Sequence, residues 1–217
     1  GILRTLKSGE AGFWGARRVG NLLTFSEQFS NAAWTKSANA TITANTDIAP
    51  DGTITADLLT ATVTDNGAHQ TLTLGAGLTV CSSIYIKAGT AAKVMLRDDN
   101  GAGRHIEVTT SSMTITATAG SLVSSAITAS SNGFYRVSMT YIADASSRLF
   151  IRPTNGTGTV IIWGAQFENV TGQVTKTVGE YVSNGVLSAP YHGTGVDGTK
   201  YFDTDLNSTV ISEATLK

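Results

Sequence analysis

The sequence predicts an all-β fold: an antiparallel jelly-roll β-sandwich with β-rich N- and C-terminal extensions. Three observations support this class. Thr and Ser are abundant while charged residues make up only 14% of the 217 residues, and this mixture favours pleated strands over helices. The chain has 23 Gly and 3 Pro, so Gly, Asn and Asp are expected to form the turns. The apolar residues recur with a period close to two, which is the strand period.

The alternation is clearest in the segment that begins at Tyr135. Tyr135, Val137 and Met139 fall on one face of a strand, and the polar residues between them fall on the other. We therefore expect these three side chains to face the interior of a sandwich whose core spans Asn21 to Asn169.

Two turn sequences predict β-hairpins. The first contains Asn100-Gly101, between the apolar runs 94–97 and 105–108, and the second contains Asn155-Gly156, between 149–152 and 159–163. Asn-Gly between alternating apolar runs is a strong hairpin signal. Short strands separated by such turns are typical of a sandwich.

The chain divides into three zones. Residues 1–20 are broken by four glycines and read as an N-terminal β-arm. Residues 21–169 carry nearly all the strong strand signals and form the predicted sandwich. Residues 170–217 are rich in Gly, Thr and Ser, and we expect them to be an extension that leads to a further domain or a partner.

Composition and motifs exclude several functional classes. The formal net charge is −1 and no block of Lys and Arg occurs, so a nucleic-acid partner is not expected. No apolar run approaches the roughly 18–20 residues needed to span a bilayer, so membrane insertion is not expected either. The common catalytic motifs are missing, and we predict a non-enzyme with no catalytic residue.

Cys81, the single cysteine, is expected to be a small buried apolar residue.

Five segments carry a resemblance to a known family. Asn21-Leu-Leu-Thr-Phe-Ser-Glu-Gln-Phe-Ser-Asn-Ala-Ala-Trp-Thr-Lys36 is similar to the opening of a module found in tail-fibre, tailspike and related structural proteins of phages and prophages. The other four matching segments, in the same order, are 50–53, 83–89, 133–137 and 163–168.

The resemblance implies a jelly-roll sandwich like those of carbohydrate-binding modules, placed in a virion appendage outside the cell. The expected partners are further copies of the chain, with a trimer favoured, other virion proteins, and a host-surface glycan as candidate ligand. The leading hypothesis is a structural or adhesive module of a tail fibre or tailspike. The alternative is a carbohydrate-binding accessory domain of a secreted bacterial enzyme, and the third hypothesis is a glycan-degrading enzyme.

The densest polar cluster is the candidate ligand site. It surrounds the first predicted turn, where a sugar could bind, although a solvated hairpin would show the same pattern. Its members are Arg97, Asp98, Asp99, Asn100, Arg104 and His105.

Glu27 and Glu168 are candidate metal ligands. Related sugar-binding jelly rolls hold a structural calcium where the first and last strands meet, and carboxylate oxygens suit that ion. Two solvated carboxylates are the competing interpretation, and no other cofactor is expected.

The last two hypotheses concern aromatic residues. Those in the two end zones have too many glycines around them to form a core of their own, so we expect subunit contacts at Phe13, Trp14, Tyr181, Tyr191, Tyr201 and Phe202. Trp34 and Trp163 could stack on a sugar, but their apolar neighbours favour a place in the core.

Overall fold

The computed structural model describes residues 19–98 and 103–185. They form twelve β-strands and one short 3-10 helix, Ser131–Gly133. The strands are β1 Thr35–Lys36, β2 Ala40–Asp47, β3 Ala56–Ala61, β4 Ala68–Thr73, β5 Thr79–Ala88, β6 Lys93–Asp98, β7 Arg104–Thr109, β8 Thr114–Ala119, β9 Leu122–Ala129, β10 Tyr135–Ile142, β11 Ser146–Thr154 and β12 Gly158–Asn169. Within these described residues no helix has the length and hydropathy needed to cross a bilayer.

The strands form two six-stranded antiparallel sheets. Sheet I has the order β1-β4-β11-β6-β7-β8, and sheet II has the order β2-β3-β12-β5-β10-β9. Some neighbours in each sheet are consecutive in the chain, such as β6 and β7, whereas others, such as β4 and β11 or β3 and β12, are distant because the chain crosses between the sheets. The predicted fold class, an antiparallel jelly-roll sandwich, is confirmed.

The core lies between the two sheets and follows the predicted alternation. Val137 and Met139 are fully buried, and Tyr135 packs against the edge of the same cluster. Trp34 is also buried there and donates its indole N–H to the carbonyl oxygen of Phe25 at 2.9 Å. The core interpretation of Trp34 is therefore confirmed, and Cys81 is buried as expected.

One of the two predicted hairpins forms. β6 and β7 pair in register from Lys93–Thr109 to Asp98–Arg104. The second prediction is wrong, since β11 pairs with β4 and β6 in sheet I whereas β12 pairs with β3 and β5 in sheet II. The Asn155-Gly156 turn has both residues at positive φ, and it carries the chain from one sheet to the other instead of folding it back.

The zone boundary predicted at residue 169 does not end the packing. Val170 donates its backbone N–H to Thr79 O at 2.9 Å, and the chain continues along sheet II to residue 185. The predicted arm before residue 19 and the extension beyond residue 185 lie outside the described residues, so both remain predictions.

Candidate ligand-binding face

The polar cluster predicted around the β6–β7 turn is divided between the two faces of sheet I. Arg97 and His105 pair across the strands and point away from the core, whereas Asp98 and Arg104 point into it. Because side chains alternate along a strand, residues adjacent in sequence cannot share one face. The prediction of a single site is therefore wrong for Asp98 and Arg104, while Asp99 and Asn100 lie outside the described residues.

The inward pair belongs to a buried polar network. Arg104 donates to Asp144 at 2.8 Å and lies 3.6 Å from the carboxylate of Asp98, and its hydrogen bond to Asp144 raises the pKa of the guanidinium. Asp98 also accepts the backbone N–H of Arg148 at 2.9 Å. Burial, together with the Asp98 charge, raises the pKa of the Tyr141 phenol. Asp98, Arg104 and Tyr141 are the buried part of this network, whereas the side chain of Asp144 is 47% exposed.

The outer face of sheet I is the surface formed by the outward side chains of β4, β11, β6 and β7. A cross-strand row runs through the centre of this face. It consists of His69, Phe150, Arg97 and His105, each on a neighbouring strand.

The floor of this face is aromatic and cationic. The guanidinium carbon of Arg152 lies 5.3 Å from the centroid of the Phe150 ring, and the His69 ring meets Phe150 edge-on at 5.3 Å. Arg152 also contacts the sulfur of Met95 at 3.5 Å and the carboxylate of Asp65 at 3.6 Å.

Glu107 is the one carboxylate that points outward from these strands, and it already accepts hydrogen bonds from neighbouring side chains. Glu107 accepts from Lys93 at 2.6 Å and from Thr154 at 3.0 Å. The hydrogen bond from Lys93 lowers the pKa of Glu107. Glu107 is therefore an anion that positions the ends of Lys93 and Thr154.

The cationic character continues along β11. Arg148 donates its Nε–H to Thr71 at 3.2 Å, and its side chain lies on the same face as Phe150 and Arg152. Sequence reasoning missed these three residues. The signal was available, because Arg148-Leu-Phe150-Ile-Arg152 alternates cationic or aromatic residues with aliphatic ones.

Part of the outer face of sheet II is covered by the chain itself. Residues 179–185, the covering segment, lie along it through hydrogen bonds to side chains of the sheet. Val182 N–H donates to Gln166 Oε1 at 2.7 Å, and Gln166 Nε2 donates to Glu180 O at 2.8 Å. Asn184 N–H donates to the hydroxyl of Ser26 at 2.9 Å.

An aromatic cluster lies beneath the covering segment. The Tyr181 ring lies 4.7 Å from Trp163 and 5.9 Å from Tyr85, measured between centroids. Trp163 is buried and donates its indole N–H to Thr55 Oγ1 at 3.0 Å, so its core interpretation is confirmed. Gly164 has φ +58, and a Cβ there would lie 3.0 Å from the Tyr85 ring, so only glycine fits between the rings.

Tyr181 is not available to another subunit. It is 93% buried, and its hydroxyl group donates to Glu27 at 3.0 Å. The prediction of a subunit contact at Tyr181 is therefore wrong, because the side chain fills a pocket of its own sandwich. Phe13, Trp14, Tyr191, Tyr201 and Phe202 lie outside the described residues, so their predicted contacts remain predictions.

The two candidate metal ligands have separate protein partners. Glu27 is held by the hydroxyl groups of Tyr181 and Ser183, whereas Glu168 accepts the backbone N–H of Gly179 at 2.8 Å. Both are buried rather than solvated. In the part of the chain that the structure describes, no group of three or more His, Cys, Asp or Glu side chains could hold a metal ion. The calcium site at Glu27 and Glu168 remains a prediction.

Comparison with known proteins gives distant structural neighbours. No family model and no curated protein sequence matches this chain. The xylan-binding CBM22-1 domain of Xyn10C from Paenibacillus barcinonensis is 18% identical, with a TM-score of 0.47 over 72% of this chain and 99% of that domain. The CBM22-1–GH10 modules of Xyn10B from Clostridium thermocellum, complexed with xylohexaose, are 15% identical, with a TM-score of 0.44 over 72% of this chain and 29% of theirs.

A third neighbour is a viral protein. The enzymatically active domain of tailspike protein 4 of bacteriophage CBA120 is 16% identical, with a TM-score of 0.39 over 65% of this chain and 20% of that one. Likenesses at this distance carry no argument about function. The function must be argued from the two sheet faces of this chain.

Proposed function

We propose that this chain is a non-catalytic carbohydrate-binding module that holds its ligand on the outer face of sheet I. The observation that carries the proposal is a set of flat side chains that reach solvent on that face: Arg97 and His105 pair across β6 and β7, and Arg148 lies on β11. Phe150 lies beneath them at 6% exposure, with the Arg152 guanidinium over its ring. Flat guanidinium groups can pack against the apolar C–H surfaces of a pyranose ring. The neighbouring hydroxyl and imidazole groups can bind the hydroxyl groups of the sugar.

The covering segment on sheet II distinguishes the two faces. Arg97, His105 and Arg148 are half-buried, so they are held by neighbours yet still reach solvent. On sheet II the aromatic side chains are occupied by Tyr181, and the covering segment is attached to the sheet by hydrogen bonds. A ligand on sheet II would have to displace part of the same polypeptide.

The charge state of Glu107 argues against this carboxylate as the acid of a glycosidase. A glycosidase needs a carboxylic acid that stays protonated near neutral pH, with its pKa raised above the ordinary value. The pKa of Glu107 is instead lowered by Lys93, so it is ionised at neutral pH and cannot supply a proton to a leaving group.

The module has two candidate settings outside the cell. In the first, it is an accessory domain of a secreted enzyme and brings a catalytic domain to its polysaccharide. In the second, it belongs to a virion appendage, which is the setting implied by the five segments that resemble tail-fibre proteins. The sequence flanking the chain distinguishes these settings, since a catalytic domain supports the first and a trimeric fibre domain supports the second.

One feature of the edge strands supports the second setting. β8 and β9 close the same side of the two sheets, and no charged residue occurs between Glu107 and Arg136. Edge strands of monomeric proteins are usually protected by charges, bulges or short length. β8 and β9 each have a bulge, at Thr116 and Val123, but no charge. Their pairing with further copies of the chain would satisfy the outer backbone groups of an uncharged edge.

The test of carbohydrate binding is a glycan microarray probed with the full chain, followed by titration of each bound glycan. Arg148→Ala and Lys93→Ala remove cations from the outer face of sheet I, and both should weaken binding. Lys87→Ala is the matched control, because Lys87 has the same side-chain exposure as Lys93 and makes an equivalent ion pair, 2.7 Å from Asp47, on sheet II. An array without a bound glycan, or a bound glycan that is insensitive to both sheet I changes, would refute the proposal.

A further inference from the structure

We infer that the outer face of sheet II contains a peptide-binding site, and that the covering segment is its tethered ligand. The site takes an extended peptide anchored by a tyrosine, and the same segment of a second copy of the chain can fill it. No residue between 170 and 185 belongs to a strand or a helix, so the covering segment is held as a bound peptide is held rather than as a strand of the sheet. The inference is independent of glycan binding on sheet I.

Side chains of sheet II bind the backbone of the covering segment. Gln166 lies across its middle, where the side-chain amide accepts the N–H of Val182 at 2.7 Å and donates to the carbonyl oxygen of Glu180 at 2.8 Å. Glu168 accepts the N–H of the first residue of the segment, and Arg136 donates to the carbonyl oxygen of the same residue. Because these contacts join side chains to backbone groups, they do not depend on the covalent connection between the segment and β12.

Residues 21–26, which lie along β12, supply the other contacts to the backbone. Asn21 donates its side-chain amide to Val182 O at 2.9 Å, and Asn184 donates its own side-chain amide to Asn21 O at 3.0 Å. Ser26 binds Asn184 twice, since its hydroxyl group accepts the N–H at 2.9 Å and its own N–H donates to the carbonyl oxygen at 3.0 Å. Main-chain hydrogen bonds of this kind give affinity for an extended peptide, and side-chain pockets give specificity.

Tyr181 is the specificity anchor of the segment. Its ring contacts Trp163 and Tyr85, and its hydroxyl group lies 2.8 Å from the hydroxyl group of Ser26 and donates to Glu27 at 3.0 Å. Buried aromatic anchors commonly contribute most of the binding energy of an interface. A peptide without the tyrosine would leave the pocket unfilled and the buried Glu27 with one donor fewer.

The glycines at the two ends of the segment restrict the sequence further. A Cβ at Gly179 would lie 2.7 Å from Glu168 Oε2, so a larger residue would displace the carboxylate that binds its own N–H. Gly185 has φ +76, and a Cβ there would lie 2.7 Å from the backbone nitrogen of Phe25, so this position requires glycine. The site therefore selects the pattern Gly-x-Tyr-x-x-Asn-Gly.

The tether between β12 and the covering segment allows exchange between copies. Every residue from Val174 to Thr177 is exposed, and Val174 is fully so. A loop of this kind can open without disturbing the core between the sheets. Exchange of an identical segment between two chains forms the same contacts in both, which makes it a low-cost route to a dimer.

The test is the binding of a fluorescein-labelled peptide with the sequence of residues 179–185 to full-length chains whose own segment is disabled. Tyr181→Ala and Tyr181→Leu remove the anchor and leave the other side chains of the site unchanged. Leucine keeps part of the apolar packing, so it covers the case in which the alanine variant does not fold. Fluorescence anisotropy should show saturable binding of the peptide to the folded variants.

Two comparisons test whether the binding is specific. The wild-type chain and Val174→Ala should bind the peptide at least about tenfold more weakly than the Tyr181 variants, because their own segment competes at a high effective concentration. A peptide with alanine in place of the tyrosine should also bind at least about tenfold more weakly. The intact peptide should raise the Tm of the Tyr181 variants and leave the Tm of the wild-type chain unchanged.

Three results would overturn the inference. The first is a lack of peptide binding by variants whose far-UV circular dichroism shows that they are folded. The second is the unfolding of both variants, which would make the segment an integral part of the fold rather than a ligand. The third is equal binding of the peptides with and without the tyrosine. None of these results bears on glycan binding, which the microarray decides separately.

Discussion

Replacing Tyr181 by alanine should destabilise the whole sandwich, because its ring is part of the packing of sheet II. Loss of a large buried aromatic side chain costs about 3–5 kcal/mol, and Tyr181 is 93% buried against Trp163 and Tyr85. The buried Glu27 also loses a hydrogen-bond donor at 3.0 Å. We expect a decrease of about 4 kcal/mol in the free energy of unfolding, or roughly 8–16 °C in Tm for a chain of this size.

The assay is thermal and urea unfolding followed by tryptophan fluorescence, since Trp163 contacts the altered site directly. Tyr181→Phe should cost less, about 1–3 kcal/mol, because it removes only the hydroxyl group. Val174→Ala is the matched control, because Val174 belongs to the same C-terminal region and is fully exposed. If Tyr181→Ala is as stable as Val174→Ala, then the covering segment is not part of the folded unit, and Tyr181 is again available to a partner.

Two further predictions concern alkaline pH and assembly. Burial raises the pKa of the Tyr141 phenol, so it stays protonated in the fold while the unfolded chain ionises near pH 10. The free energy of unfolding should therefore fall as pH rises above about 10. Tyr141→Phe should reduce the slope of this free energy against pH by up to about 1.4 kcal/mol per pH unit, as measured by urea unfolding from pH 9 to 11. An unchanged slope would contradict the assignment to Tyr141. The uncharged edge formed by β8 and β9 predicts that the full chain sediments as an oligomer. Ala126→Lys on β9 should shift the oligomer towards monomer, whereas Ala44→Lys on the opposite edge strand β2 should leave it unchanged. A monomeric wild-type chain would contradict the edge argument.

The sequence was sufficient for the fold class and the core because both depend on local alternation. Val137, Met139 and Trp34 occupy apolar positions whose burial requires only that a second sheet exists. The β6–β7 hairpin was also predictable, because its turn signal and its strands are adjacent in sequence. The second Asn-Gly turn gave the same signal and a different outcome, because a turn sequence does not specify whether the next strand joins the same sheet.

The candidate site was predictable only in part, because a site on a sheet face is assembled across strands. Arg97 and His105 were identified within a dense local cluster, but Phe150 and His69 come from strands distant in sequence. Asp98 and Arg104 were misassigned because local density was taken as proximity on one surface, although alternation separates them. The pairing of Tyr181 with Glu27 across 154 residues has no local signal.

The two outer faces show how the chain satisfies one requirement in two ways. An outer sheet face must be polar or covered, since exposed aromatic surface is costly in water. Sheet II carries Tyr85 and Trp163 on its outer side, and the covering segment buries them with Tyr181. Sheet I instead places the long side chains of Arg152 and Arg148 around Phe150, so that their stems cover apolar surface while their charged ends reach outward. A ligand on sheet I would displace only water and rearrange side chains, whereas a ligand on the covered part of sheet II would have to break a segment out of the fold, and this difference is the reason for proposing sheet I as the binding face.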